Sequence, residues 1–234
     1  MNKPFLLLLC LTFGCERSGG TKLVSPATPA TVSLEKPAAV AVSESASAVP
    51  DADGFLKLKL ADFVAFAAQP ETWKEEGDDL ICSGKPKGYL YSKKSYRNFT
   101  WRAEYRFIPT EGETDPEKLA ASNSGFMLHI QEPHKVWPRS YEAQGKHLEM
   151  CTLKANGGAA TLTIQDDAAA RETARRPVGE WNQVEIQSKK GKLTTRLNGT
   201  LICESEPSEL TSGVIGLQSE NYPVRFRKLL IREE

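Results

Sequence analysis

Two short stretches of the chain carry side chains that can take up and release protons. In SYEAQGKH (140–147), strand alternation sets Ser140, Glu142, Gln144 and Lys146 on one side, with Tyr141, Ala143 and Gly145 on the other. In NSGFMLHIQ (123–131), Phe126, Leu128 and Ile130 read as the inward set, and Met127, His129 and Gln131 as the outward set. If the two strands neighbour one another, Glu142, Gln144 and His129 share one surface. A carboxylate and an imidazole on one face are the makings of general acid–base chemistry, with amides at hand to orient a polar ligand. The expected surface is therefore the floor of a cleft. The competing reading for Glu142 and Gln144 is a solvated strand face, and His129 is equally readable as a bystander. Asn123 is either a ligand contact or a turn former whose side chain bonds nearby backbone.

The elements that must hold these residues are strands. In FTWRAEYRF (99–107), Phe99, Trp101, Ala103, Tyr105 and Phe107 fall on one face, and Thr100, Arg102, Glu104 and Arg106 on the other. NQVEIQS and LTTRLNG repeat the period of two. They are joined at Lys190-Gly191, and Asn198-Gly199 supplies the positive φ of a tight hairpin turn, so a three-strand meander is expected over 182–204. In YPVRFRKLLI, Val224 and Phe226 are in phase and Leu229 and Ile231 out of phase, which predicts a bulge at Arg227-Lys228. DPEKLAAS (115–122) reads as one short helical turn or a mobile loop, and ADFVAFAAQPETW as strand or short helix. Trp73, Trp101 and Trp181 lie in strand-like patterns and are expected in the core. Short strands separated by Gly, Pro, Asn and Asp argue for two packed antiparallel sheets.

The 234 residues carry 30 basic and 30 acidic side chains, so no basic field exists to neutralise nucleic-acid phosphates. At the N-terminus, Lys3 precedes an apolar run from Phe5 to Phe13, far short of the roughly 20 residues needed to cross a bilayer. Residues 1–14 are expected to be an export signal, and Thr12-Phe13-Gly14-Cys15 resembles a bacterial lipoprotein signal with Cys15 as the lipidated residue. Plain cleavage to a soluble secreted protein is the alternative. Residues 15–51, rich in Ala, Ser and Pro and without an aromatic, are expected to be a disordered tether, and 52–234 the folded domain. The expected location is the periplasm or cell envelope, with membrane contact only through the lipid. Of Cys82, Cys151 and Cys203, at most two can pair, and all three read more simply as small buried hydrophobes. Their spacing does not suggest a zinc site.

Seven stretches in fixed order, GKPKGYLYS, YRNFTWRAEYRF, NSGFMLHI, HKVWPRSYEAQG, PVGEWNQVEI, LNGTLI and GVIGLQSENYPVRFRKLLI, together resemble the DUF1080 family, the 3-keto-disaccharide hydrolase domain, across 53–232. The resemblance implies an all-β, concanavalin A-like jelly-roll sandwich of two antiparallel sheets. It also implies a carbohydrate substrate, a glycoside already oxidised to a ketone at C3. Such a ketone acidifies the C2 proton, so a base can remove it, the C1 substituent leaves by elimination, and water adds back. Glu142 and Gln144 match the family's Glu-x-Gln motif, which makes Glu142 the base or a metal ligand and Gln144 a partner for sugar hydroxyls, with His129 a second catalytic candidate. Asn123 opens the Asn-Ser-Gly motif. Trp137, beside His134 and Arg139 in a loop bounded by Pro133 and Pro138, is positioned to stack on a sugar ring, and Gln218 and Glu220 to line the rim. A divalent metal is compatible with this site, no compact calcium loop is visible, and no organic cofactor is expected. Many members continue the motif with Ile-x-Asp; here Gly145, Lys146 and His147 follow and the Asp is absent, which points to an altered substrate or an inactive site unless His147 stands in for it. The alternative to an enzyme is a non-catalytic carbohydrate-binding module on the same scaffold.

Overall fold

The computed structural model describes residues 50–234; the expected export signal, Cys15 and all but the last two residues of the expected tether lie outside the described residues. Among the described residues fifteen strands, numbered in chain order, build two antiparallel sheets. The front sheet runs β2 (Phe63–Phe66), β5 (Gly88–Tyr96), β14 (Gly213–Ser219), β7 (Gly125–Ile130), β8 (Ser140–Gln144) and β9 (Leu153–Asn156). The back sheet runs β10 (Ile164–Asp166), β13 (Thr200–Ser205), β12 (Lys192–Leu197), β11 (Asn182–Lys189), β6 (Phe99–Phe107), β15 (Val224–Glu233), β4 (Asp79–Cys82) and β3 (Trp73–Glu76), with β1 (Leu56–Lys57) also paired to β15. This is the expected two-sheet all-β sandwich.

Alternation explains the core. From β6, Phe99, Trp101, Ala103, Tyr105 and Phe107 all point between the sheets, where they meet Leu90, Phe126, Leu128, Tyr141 and Leu217 of the front sheet. The rings of Trp101 and Tyr105 each meet Phe126 edge-on at 5.4 Å, the arrangement the aromatic quadrupole prefers. Tyr105 also ties the layers polarly, donating its hydroxyl to the Gly145 carbonyl at 3.0 Å. Cys82, Cys151 and Cys203 are free and buried, as small hydrophobes would be.

The meander is present as β11, β12 and β13, with consecutive left-handed residues Lys190-Gly191 (φ 52° and 82°) and Asn198-Gly199 (φ 49° and 87°) at its two turns. The bulge in β15 is also present: its register on β6 slips between Arg227 and Leu230, around Lys228 at φ 50°. α1 (Pro116–Ala120) is the short helix expected near 115–122, capped by Asp115, which accepts from the Glu117 N–H at 2.9 Å. α2 (Ala168–Ala174) has no counterpart in the strand periodicity. It is held by buried Arg171, which donates to the Met150 carbonyl at 2.8 Å and pairs with Asp166.

Trp181 departs from expectation. It is only partly buried and lies on the outer face of the back sheet, with the Arg227 and Arg106 guanidinium carbons 3.9 and 4.9 Å from its ring centroid. Stacking on two cations takes the place of core packing there.

Candidate active site on the front sheet

The front sheet has two unlike faces. Its inner face belongs to the main core, whereas its outer face carries a second apolar cluster, Tyr89, Met127 and Ile130, joined by Phe66, Tyr91 and Trp137. Register sets the outer residues in rows. One row runs Val64, Tyr91, Gly216, Met127, Glu142, Lys154 across all six strands. The next carries Phe66, Tyr89 and Gln218 on β2, β5 and β14, and Gly125 opposite Gln144 on β7 and β8.

Glu142 is the centre of this face. It is 4% exposed, and Asn156 from β9 donates its amide to Oε2 at 2.7 Å. The other carboxylate oxygen, Oε1, is buried with no hydrogen-bond partner, and the same is true of Gln218 Oε1. Both oxygens lean over Gly125: a Cβ on that residue would lie 2.3 Å from Glu142 Oε1 and 2.4 Å from Gln218 Oε1. Only a glycine leaves room for the two side chains to meet. The Asn-Ser-Gly motif thus has a physical reading at each position. Gly125 makes the space, Ser124 donates its hydroxyl to the Gln218 carbonyl at 2.9 Å and so fixes that strand, and Asn123 contributes a further buried, unpartnered acceptor, Oδ1.

Burial pushes the Glu142 carboxyl up to about 7, aided by the charge of Glu220 and opposed by the Asn156 and Gln218 side chains and by Lys154. Glu220, tied to Lys87 at 3.8 Å, is itself raised, chiefly by burial. Protonated, Glu142 can donate to Gln218 Oε1; ionised, it can accept an N–H from a Gln218 amide turned by 180°. A group that must gain and lose a proton during turnover needs a partner for both states, and Gln218 is one. The unpartnered oxygens are all acceptors, so a ligand that completes them brings hydroxyl donors or a cation. Among the described residues no group of three or more His, Cys, Asp or Glu gathers into a metal-binding set.

The loop between β7 and β8 (131–139) folds back over this face. Gln131 fixes its base, donating its amide to the His129 and Ser212 carbonyls at 2.8 Å each. His134 stacks on Tyr91 with ring centroids 4.0 Å apart and meets the Tyr89 hydroxyl at 2.8 Å. Trp137, at φ 57°, packs on the Tyr89–Met127–Ile130 cluster, so the expected aromatic is at the site.

Three sequence expectations are corrected. His129 does not share the face of Glu142. Val214 pairs with Ile130 and Gly216 with Met127, so Ile215 alone stands opposite Leu128 and His129. This bulge, with His129 at φ 52°, turns His129 inward and Ile130 outward. His129 is fully buried against Phe99, its Nε2 2.9 Å from Ser188 Oγ, and burial lowers it to about 4. It is a neutral structural histidine. Gln144 lies on the correct face, but its Oε1 accepts the Lys146 N–H at 2.8 Å and shapes the turn after β8. His147 faces a different cavity of about 480 Å³, lined also by Leu119, Leu148, Arg175 and Val178, so the structure does not bring it to Glu142.

Asn156, Ser124, Gly125 and Tyr89 were not singled out by sequence reasoning. Asn156 was legible in principle: once LKAN is read as a strand paired to SYEAQ, it lies opposite Ser140 on the Glu142 face.

The sequence profile of the 3-keto-alpha-glucoside-1,2-lyase-like domain matches residues 60–232. No functionally curated protein matches the chain by sequence. Among solved structures, a candidate glycosyl hydrolase from Parabacteroides distasonis superposes with a TM-score of 0.55 at 22% identity, covering 77% of this chain and 99% of that one. The carbohydrate-binding module CBM66 from Bacillus subtilis gives 0.55 at 12% identity, covering 74% and 96%. A Bacillus subtilis protein with a galectin-like fold gives 0.50 at 10% identity, covering 74% and 90%. These likenesses show the fold: a concanavalin A-like, galectin-type jelly roll.

Proposed function

The chain belongs to the 3-keto-alpha-glucoside-1,2-lyase-like family, a carbohydrate-active domain, and from that membership and the surroundings of Glu142 we propose that it cleaves 3-keto-glycosides. The single observation that carries the reading is the buried carboxylate of Glu142, raised to about 7, with one oxygen held by Asn156 and the other left open beside Gln218. A carboxylate with a pKa near the operating pH is the effective base for a carbon acid, because it is substantially ionised and yet strongly basic. The C3 ketone makes the C2 proton acidic. Glu142 removes it, the enolate expels the C1 oxygen substituent, and a 1,2-unsaturated ketone results; water added at C1, with Glu142 returning its proton to C2, completes hydrolysis.

The cross-strand partners of Glu142 are Met127 and Lys154, and Glu220, the carboxylate whose charge reaches it, is tied to Lys87, an arrangement that suits elimination better than an oxocarbenium mechanism built on two flanking acids. Gln218, Asn123 and Glu142 Oε1 are acceptors for sugar hydroxyls, and Trp137 offers a ring face. Glu142 is 4% and Gln218 1% exposed, and Trp137 and His134 of the 131–139 loop pack on the same sheet face.

Incubating the purified protein with 3-keto-trehalose and 3-keto-lactose, with and without divalent metal, tests this. Release of the free sugar, seen by mass spectrometry and lost in Glu142→Gln, is the expected result. Binding of glycans without release from any keto-glycoside would overturn it in favour of a binding module. For location, the apolar run and Cys15 support a lipid-anchored envelope protein. Membrane-fraction recovery that falls to the soluble fraction in Cys15→Ser is the expected outcome.

A further inference from the structure

Beside the Glu142 centre, three polar side chains form a line that packing alone does not require. Tyr89 Oη lies 2.8 Å from His134 Nδ1, and His134 Nε2 lies 3.0 Å from Glu132 Oε1. Glu132 also accepts the His134 backbone N–H at 3.0 Å, so it holds the residue at two points. Exposure falls steeply along the line. The side chain of Glu132 is 76% exposed, that of His134 15%, and Tyr89 is 0% exposed. The line therefore joins solvent to the buried face. Its inner end is clamped: the Tyr89 ring stacks on Phe66 at 5.1 Å and packs against Met127, the cross-strand partner of Glu142. Tyr89 is in turn the cross-strand partner of Gln218, which meets Glu142 over Gly125. A phenylalanine at 89 would fill the same apolar space, so the hydroxyl, its partner His134 and the Glu132 behind it call for a role in proton handling.

We propose that Tyr89 is the acid of the elimination, protonating the oxygen that leaves C1 while Glu142 takes the C2 proton, and that His134 and Glu132 reprotonate it from solvent. This rests on the cleavage reading above. With both ring nitrogens of His134 protonated, Nδ1–H donates to the Tyr89 oxygen and Nε2–H to Glu132, which leaves the phenolic hydrogen free for the substrate. As the C1–O bond breaks, its electron pair goes to the departing oxygen, which takes the Tyr89 proton. The phenolate then takes the proton from His134 Nδ1, which leaves a neutral ring with its Nε2–H on Glu132, and solvent returns a proton to Nδ1 once the product has left. Burial holds the Tyr89 hydroxyl well above the usual phenol range, aided by Tyr91 and Glu132, so it rests protonated, as an acid must.

The test compares two leaving groups in the full chain: 3-keto-trehalose, whose departing sugar alkoxide needs a proton, and 4-nitrophenyl 3-keto-glucoside, whose phenolate departs readily without one. Tyr89→Phe is expected to lose about 100-fold or more in kcat on the first and under about tenfold on the second, the signature of general acid assistance. Glu142→Gln should fail on both. His134→Gln, which keeps a hydrogen-bond partner but cannot relay a proton, should show the same dependence on leaving group. It carries the test if Tyr89→Phe does not fold. Equal losses on the two substrates, or none, would overturn the assignment and leave the cleavage reading standing. A wild-type protein inert to both substrates would overturn the cleavage reading and this one with it.

Discussion

Glu104 and Glu142 occupy corresponding places, each on an outward row of one of the two sheets, and their surroundings could hardly differ more. On the back sheet, Glu104 accepts from Arg227 Nε and from Lys228 Nζ, each at 2.7 Å. Partial burial pushes its carboxyl up, but these two partners outweigh it and the net shift is downward. Its neighbours repeat the theme: Arg102 pairs with Glu185 at 2.7 Å, and Arg225 with Glu76 and Asp79 at 3.2 and 3.4 Å. That face is a lattice of satisfied charges. On the front sheet, Glu142 is more deeply buried, has no cation within ion-pair distance among the described residues, keeps one oxygen unpartnered and is pushed up to about 7. An arrangement that lowers stability and persists is where function is to be sought, and by that criterion the two faces separate cleanly.

The sharpest way to break the comparison is to neutralise each glutamate. Glu142→Gln is expected to lower kcat by roughly 10²- to 10⁴-fold. The same change should stabilise the fold above pH 7. The folded pKa lies near 7, above the ordinary 4.5, so the folded state holds the proton longer, and stability falls as pH rises from 4.5 to 7. Removing that cost gains up to about 3 kcal/mol at pH 8, none below pH 4.5, read from thermal melts across pH.

His129 and His147 act with the opposite sign. Each is lowered to about 4 by burial, so their contribution is complete above pH 6.5 and is lost as pH falls toward 4. In the wild type the two slopes oppose one another between pH 4.5 and 6.5. In Glu142→Gln the falling slope shrinks to what Glu220 contributes, and melting temperature should rise with pH more steeply across that window than in the wild type.

Gly125→Ala should come next in size. A Cβ 2.3 Å from Glu142 Oε1 forces the carboxylate aside, so turnover should fall at least tenfold, with about 1–3 kcal/mol of destabilisation from overpacking. Trp137→Ala should raise KM by roughly tenfold, equivalent to about 1.4 kcal/mol of lost binding, with a smaller change in kcat. The smallest effect belongs to the back sheet. Glu185→Gln should change stability by under about 1 kcal/mol and leave turnover as it was, since its partner Arg102 is part of a half-exposed lattice.

The strands were legible because period-two burial is written residue by residue, as in FTWRAEYRF, and the hairpins because Lys-Gly and Asn-Gly announce left-handed turns. Glu142 was legible for the same reason. His129 was not, because a one-residue bulge reverses every later side chain of the strand, and nothing in MLHI marks where the extra residue sits until β14 is aligned beside it. Trp181 misled for a related reason: alternation counts an aromatic as buried, whereas Arg106 and Arg227 supply it a partner on the surface. The contacts between Asn156 and Glu142, and between Tyr89 and His134, join separate strands and a loop, and pairings of that kind exist only in three dimensions.

The most direct test of Glu142 as a carbon base is exchange at C2. A 3-keto-glycoside incubated with the protein in D₂O and followed by proton NMR should lose its C2–H signal, at a rate that falls as the acidity of the solution passes an apparent pKa near 7. In Glu142→Gln the exchange should fall to the rate in buffer alone. Exchange that persists in that variant would contradict the account and assign the base elsewhere.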